Sequence, residues 1–363
     1  ALRQFRLAAQ TERQRVEAIK QLIDTKGGRD RIEDLADKLS ALDDPAAVNR
    51  LTRKAYEGGI AGKLNEYWIN ALLSGPQTHI VNITSNALTH LYSIPEDLLA
   101  AGFGAVRGGP NRVFGRESAH RAFGLVEGVR DALRATAKAA RTGEGFDATY
   151  SKLGEAYPDA IGGTLGKVVR IPTRMLEVED TFFKTLAYRT ELNALAVRQA
   201  IRDGAKGADF ARKVAEYKAK PTDEMVDQAI QRARVLTFTN PLGPAGSAIS
   251  RLRTVPGVKW VVPFIKTPTN ILKFAARRSP AAPLLREFRE DIAAGGLRRD
   301  RALAQITMGS AIGLAAFSYA REGLITGGGP SDPKERQALF ATGWQPYSMK
   351  IGDRWYSYDR LDP

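Results

Sequence analysis

"RMLEVEDTFFKTLAYRTELNALAVRQAIRDG", residues 174–204, decides the fold class. Leu176, Phe182, Phe183, Leu186, Leu192, Leu195 and Ile201 recur at helical spacing, and Gly204 closes the run. The next stretch, "PTDEMVDQAIQRARVLTF" (221–238), has an acidic first turn and a basic last turn, which suits a helix dipole. Pro241, Gly243 and Pro244 then break it. On the N-terminal side a glycine-punctuated connector spans Thr142 to about Gly166, preceded by a helix over 117–141 with a basic exit.

Further out the pattern repeats. Residues 2–28 read as an amphipathic helix with Leu2, Phe5, Leu7, Val16, Ile19, Leu22 and Ile23 on its apolar side, stopped by Gly27-Gly28. Asp44 caps another helix, with Pro45 at its first position and Gly58-Gly59 at its exit. "NEYWINALL" (65–73) is helical up to Ser74-Gly75-Pro76. Helical periodicity resumes from about Thr78 to Leu91, with Pro95 ahead of the Gly/Ala-rich "EDLLAAGFGAVRGGPNRVFG". Strands are expected only at the C-terminus. There Asp332, Pro333 and Glu335 open a short helix like a capping box, Gly343 ends it, and "YSMKIGDRWYSY" alternates across a Gly-Asp turn. A two-residue loop puts Tyr347, Met349 and Ile351 on one face with Tyr356 and Tyr358.

The expectation is an all-α chain, an extended multi-helix assembly with a short C-terminal β-hairpin. Along the chain it divides into an N-terminal helical segment (1–74), a Gly/Ala-rich helical segment (75–170), a long-helix segment (171–240), a basic Pro-interrupted segment (241–300), and an apolar helix followed by the C-terminal helix and hairpin (301–363).

With 363 residues, 43% of them hydrophobic, the chain can bury a core, which excludes wholesale disorder. Its 54 Lys+Arg against 40 Asp+Glu leave a net charge of +14, favouring polyanions such as nucleic acid or an anionic lipid surface. Cysteine is absent, so disulfides, thiol chemistry and Cys-ligated metals are excluded. No secretory signal opens the chain, and the missing initiator Met suggests a segment of a longer polypeptide.

Catalytic patterns fail individually. The three histidines, His79, His90 and His120, form no HExxH, and His79 and His90 stand about 16 Å apart along a straight helix. "GGTLGKVV" places Ile161 and Val168 where a phosphate loop needs Gly and Ser/Thr. "GFGAVRG" has Arg107 in place of the third glycine of a dinucleotide loop. Glu177 and Asp180 could pair as acid and base, but early acidic residues also complement a helix dipole. No GxSxG setting exists for a serine nucleophile. No cofactor and no metal site are expected.

Two stretches point to surfaces. Residues 250–280 carry Arg251, Arg253, Lys259, Lys266, Lys273, Arg277 and Arg278 interleaved with Trp260, Phe264 and Phe274, a mixture that suits phosphate backbones or anionic headgroups. Pro256, Pro263 and Pro268 argue against one continuous helix there. Residues 302–320 hold no charge, lie between Arg298, Arg299 and Arg301 on one side and Arg321 on the other, and approach bilayer length. Gly309 and Gly313 form a GxxxG pair within them, while Gln305, Thr307, Ser310 and Ser318 dilute the apolarity. Membrane insertion and burial in an oligomer both explain this run.

"SGPQTHIVNITSNAL" (74–88) and the block 331–363 together resemble segments of internal virion proteins of short-tailed bacteriophages, and of the C-terminal regions of large polyvalent phage proteins. Gly343-Trp344-Gln345-Pro346-Tyr347 followed by a hairpin is the more specific part. The rest of the chain agrees only in being helical and basic. The resemblance implies a ring of copies inside the capsid near the portal, released with the genome to help build a DNA conduit across the host envelope. Its implied partners are other copies of the chain, other core and ejection proteins, the portal, viral DNA and the host inner membrane. Murein-cleaving domains occur in such proteins; this chain shows no motif for one. On this reading Ser74, Gly75, Pro76 and Thr78 set the turn into a helix whose Asn82 and Asn86 hydrogen-bond across a helix–helix contact. The alternatives are a membrane-active pore or effector segment, and a soluble nucleic-acid-binding protein.

Overall fold

A computed structural model describes residues 60–142, 145–146, 160–242 and 264–358. These residues are 76% helical, with eleven α-helices and one two-stranded antiparallel hairpin, so the chain is all-α with a short C-terminal β-hairpin. The helices are α1 (Ile60–Leu73), α2 (Pro76–Arg107), α3 (Gly115–Thr142), α4 (Gly163–Val169), α5 (Ile171–Arg202), α6 (Gly207–Ala219), α7 (Asp223–Leu236), α8 (Lys266–Arg277), α9 (Arg286–Ala294), α10 (Gly296–Arg321) and α11 (Pro333–Ala341). The hairpin is β1 (Ser348–Ile351) and β2 (Arg354–Ser357). The helices read over residues 2–28 and 44–59 lie outside the described residues.

Local chemistry sets the helix ends. The Thr222 side chain accepts from the Met225 N–H to cap α7, and Asp332 accepts from Lys334 N–H at 2.8 Å with Pro333 opening α11. α5 closes at Gly204, whose φ of +72° lets Ala205 N–H reach back to the Ala200 carbonyl at 3.1 Å. α11 ends the same way: Gly343 turns left-handed and Trp344 N–H donates to Leu339. α7 ends on Phe238 with φ of 57°, a costly conformation for a side-chain-bearing residue. The buried Asn270 amide holds that turn by donating to the Phe238 and Asn240 carbonyls at 3.0 and 2.9 Å.

α2 runs well past the stretch that periodicity marks. Pro95 lies inside it, on the exposed side. In the turn below, the Ser93 hydroxyl donates to the His90 carbonyl at 2.8 Å. Pro268 sits in the first turn of α8, where its missing N–H costs no helical bond.

The chain forms two compact units, each from non-consecutive segments: residues 1–76, 125–192 and 219–270, and residues 77–124, 193–218 and 271–363. The five sequential segments do not coincide with these units. Three boundaries fall inside α3, α5 and α8 rather than at the Gly/Pro breaks that sequence reading uses as borders.

In the first unit, Ile69 and Leu73 of α1 bury against Leu176 of α5 with Trp68 and Phe264, and Ala187 packs with Ala233 and Leu236 of α7. Glu66 ties these helices to the loop before α4, accepting from Ile161 N–H at 2.7 Å and from Arg170 at 2.6 Å. In the second unit, Ala100 and Ala101 of α2 meet Val113 and Ala304 of α10, and Ala282, Phe288 and Ala302 form a second small cluster. Small side chains dominate this core, so its helices approach closely.

Candidate functional site

The second unit buries charge. Four carboxylates (Glu96 and Asp97 on α2, Glu117 on α3, Asp300 on α10) meet five arginines. Arg278 forks onto Glu96, Nε to Oε2 at 2.8 Å and Nη2 to Oε1 at 2.9 Å, with its guanidinium stacked over the Phe274 ring at 3.4 Å. Arg198 grips both oxygens of Glu117. Arg121 lies 3.0 Å from Asp97, and Arg301 lies 3.8 Å from both Asp97 and Glu117. Asp300 takes Arg107 at 3.0 and 2.9 Å and the Val113 N–H at 3.2 Å. Gln305 donates to Glu96 at 3.3 Å.

Such fork-to-carboxylate pairs fix orientation, because the planar guanidinium matches two oxygens at once. Buried pairs add little net stability, but losing one partner strands a charge and costs about 3–5 kcal/mol. The cluster therefore acts as a clamp holding α2, α3 and α10 in register. Among the described residues, no group of three or more His, Asp or Glu could hold a metal ion.

The two helices meeting at this clamp are antiparallel. Asp300 sits at Arg107, Ala304 at Ala100 and Ala101, and Gln305 at Glu96. From the clamp, α2 runs back through Gln77–Pro95 without a charge, and α10 runs forward to Ala320 without one. α10 is clamped only along its first half. Asp300, Ala302, Ala304 and Gln305 are buried, whereas every residue from Ala311 to Arg321 is exposed, Ile312, Leu314, Phe317 and Tyr319 included. By length and composition α10 can cross a membrane; its apolar window has mean hydropathy 1.2 with 17% buried.

The two glycines expected to act as a pair do different jobs. A Cβ on Gly309 would overlap the Arg278 backbone carbonyl, so this glycine serves close packing within the unit. Gly313 has nothing within 4 Å of its Cβ position.

The basic stretch also differs from expectation. Arg251, Arg253 and Lys259 lie outside the described residues. Arg278 is buried and committed to Glu96, so it cannot serve as a phosphate contact. Arg277 pairs with Asp291 at 2.5 Å and Lys273 with Glu287 at 3.1 Å, while Lys266 opens α8. Cation counting cannot see that acidic residues 14 positions on in sequence neutralise these groups.

The Asn motif is likewise internal. Asn86 is fully buried, and its amide donates to the Asn82 carbonyl and side-chain oxygen at 2.8 and 3.1 Å, a bond within the helix. The spacing of four places the amide directly over the preceding turn. Ser74 ends α1 by donating to Ala71 at 2.7 Å, Gly75 follows, Pro76 begins α2, and Thr78 is half-buried in its first turn.

The C-terminal block folds around Thr326. Its hydroxyl donates toward the carbonyls of Gln345 (2.6 Å) and Ser348 (3.1 Å), and its own carbonyl receives the Tyr358 hydroxyl. Trp344 packs on Phe340, and a side chain at Gly329 would strike its ring. Pro346 accepts from the Ser348 hydroxyl, and Tyr347 takes a left-handed φ of 45° to turn into β1. Ile351 pairs with Arg354 across Gly352-Asp353, the two-residue loop expected, with φ of +61° at Gly352.

One carboxylate outside the clamp is shifted. Asp203 lies below the ordinary aspartate range because Tyr217 donates to it, assisted by Lys213. Asp180, considered with Glu177 as an acid–base pair, pairs with Lys184 at 2.8 Å.

No family model matches the chain, nor does any curated protein or solved structure.

Proposed function

We propose that this chain is a structural, non-catalytic component of a short-tailed phage ejection apparatus. It packs as a ring inside the capsid near the portal and leaves with the genome to help form a DNA conduit across the host envelope. Its partners are further copies of itself, other core and ejection proteins, the portal, viral DNA and, after ejection, the host inner membrane. The sequence resemblance at residues 74–88 and 331–363 supports this reading. The observation that carries it is α10, which is anchored by buried charges at one end and uncharged and exposed from Ala311 to Ala320. A helix presented this way needs a covering, from neighbouring protomers or from lipid.

Electron microscopy of particles assembled with this protein tests the proposal. Ring density on the portal axis is expected; particles that lack the chain would refute it. The exposed half of α10 also favours a second reading, a membrane-active pore segment without a place in the particle. Dye release from anionic liposomes, suppressed by Gly313→Asp, would accompany that role.

A further inference from the structure

α2 is built inside out. Its buried residues are His79, Asn86, Thr89, His90, Ser93, Glu96 and Asp97, followed by Ala100, Ala101 and Gly104. Its exposed residues from Ile80 to Val106 are Ile80, Ile83, Leu88, Leu91, Pro95, Leu98, Gly102, Ala105 and Val106. None of these exposed side chains offers a hydrogen bond or a charge, over a helix length of about 40 Å; half-buried Thr84, four residues from both Ile80 and Leu88, brings one hydroxyl to the stripe. A helix in water carries the opposite arrangement.

We infer that this face of α2, which belongs to the same unit as the uncharged half of α10, is a hydrocarbon-contacting surface whose occupant is the acyl-chain region of a phospholipid bilayer. The inference rests on the membrane-contact part of the reading above and not on the particle assignment. Three observations select lipid over a second copy of the chain.

The first is length. The apolar face exceeds the ~30 Å of a bilayer's hydrocarbon core, and exposed cations stand at one end: Arg116 at the start of α3 and Arg299 at the start of α10, next to Arg107 and Arg298, which pair with Asp300 and Asp291. Arg116 and Arg299 would lie where anionic headgroups begin.

The second is the distribution of side-chain size. Helices that associate closely do so through small residues. Here the glycines in tight contact face inward: a Cβ at Gly104 would lie 2.7 Å from the Val113 carbonyl and 3.0 Å from Asp300 Oδ2, and Gly309 abuts Arg278, while the outward Gly102 and Gly313 meet nothing within 4 Å. The outward residues are mainly Ile and Leu, which pack fluid chains. A protein interface on this scale also carries a hydrogen bond per 100–200 Å², and among the residues of this face between Ile80 and Val106 Thr84 alone has a side chain to make one.

The third is the clamp itself. Within a bilayer, ionisable side chains face the bundle interior and pair with one another, as Glu96, Asp97, Glu117, Arg121, Arg198 and Arg278 do. The inward polar residues also explain why hydropathy selects α10 alone: they lower the average over α2 although none of them faces outward.

The absence of cysteine makes the test direct. Ile83→Cys, Leu91→Cys and Leu98→Cys, each carrying one nitroxide, are measured in the full chain mixed with phosphatidylcholine–phosphatidylglycerol vesicles. Glu216→Cys is the water-facing reference. Collision with dissolved oxygen should exceed collision with a water-soluble nickel chelate at the three α2 sites and reverse at the reference. Protection from both agents would indicate a second copy, and preference for nickel would indicate water; either overturns the inference. Oxygen-favoured sites in a protein missing from particles would reject the ejection role and keep this face. Portal-axis density with nickel-favoured sites would do the reverse.

Discussion

α2 and α5 are both 32 residues long, and they place their side chains in opposite ways. α5 carries nine charged residues, yet it is buried along nearly all of Asp180–Ala200, with Lys184, Glu191 and Arg198 inside. α2 carries three, and it turns isoleucine and leucine outward. The more polar helix is the better buried one. Hydrophobic content therefore does not decide which helix is inside here; the supply of partners does. Lys184 has Asp180, and Arg198 has Glu117, so their burial leaves no charge stranded. The outer face of α2 has no such requirement.

Several substitutions sharpen or break this contrast. The largest effect is expected from Arg198→Met, which deprives buried Glu117 of its bidentate partner. Urea denaturation should show a loss of about 3–5 kcal/mol, and a loss below about 1 kcal/mol would mean the pair is not buried as described. Leu195→Ala, on the buried helix, should cost about 3 kcal/mol, while Leu91→Ala on α2 should stay within about 0.5 kcal/mol in the absence of lipid. Equal costs at the two positions would erase the comparison. Gly309→Ala should cost about 1–3 kcal/mol by forcing Arg278 away, whereas Gly313→Ala should be neutral or stabilise slightly through helix propensity.

Smaller effects test local chemistry. Thr222→Ala should lower stability by about 1 kcal/mol by uncapping α7. Asp203 has a folded pKa below its unfolded one, so its contribution is full above the ordinary aspartate range and fades as pH falls through the folded value. Asp203→Asn should remove a small part of the acid-side loss of stability in thermal melts recorded across that window.

Much of the architecture was legible in the sequence because short-range chemistry fixes it. Asp332 acts as a cap, the acidic first turn of α7 follows Thr222, Gly204 and Gly343 end helices, and Gly352-Asp353 turns the hairpin. The candidate site was less legible, for a geometric reason. A helix with one polar and one apolar stripe has the same period whichever stripe faces inward, so the 3.6-residue repeat of α2 defines an axis without a direction. Arg278 and Lys273 look alike in a count of cations, yet one is buried on Glu96 and the other is part-exposed beside Glu287. Gly309 and Gly313 share a motif, and only the first meets a backbone. The unpredicted signal was the pair Glu96-Asp97 within an otherwise uncharged run, since isolated charges in such a run must find partners.

The inside-out packing of α2 is tested most directly by thiol accessibility in lipid-free protein. Single cysteines at Ile80, Ile83, Leu88 and Leu91 should react with a water-soluble maleimide at least about tenfold faster than cysteines at Asn86, Thr89, His90 and Ser93, a gap of about 1.4 kcal/mol in local opening. Faster labelling at the four polar positions would show that α2 faces the other way and would contradict the account.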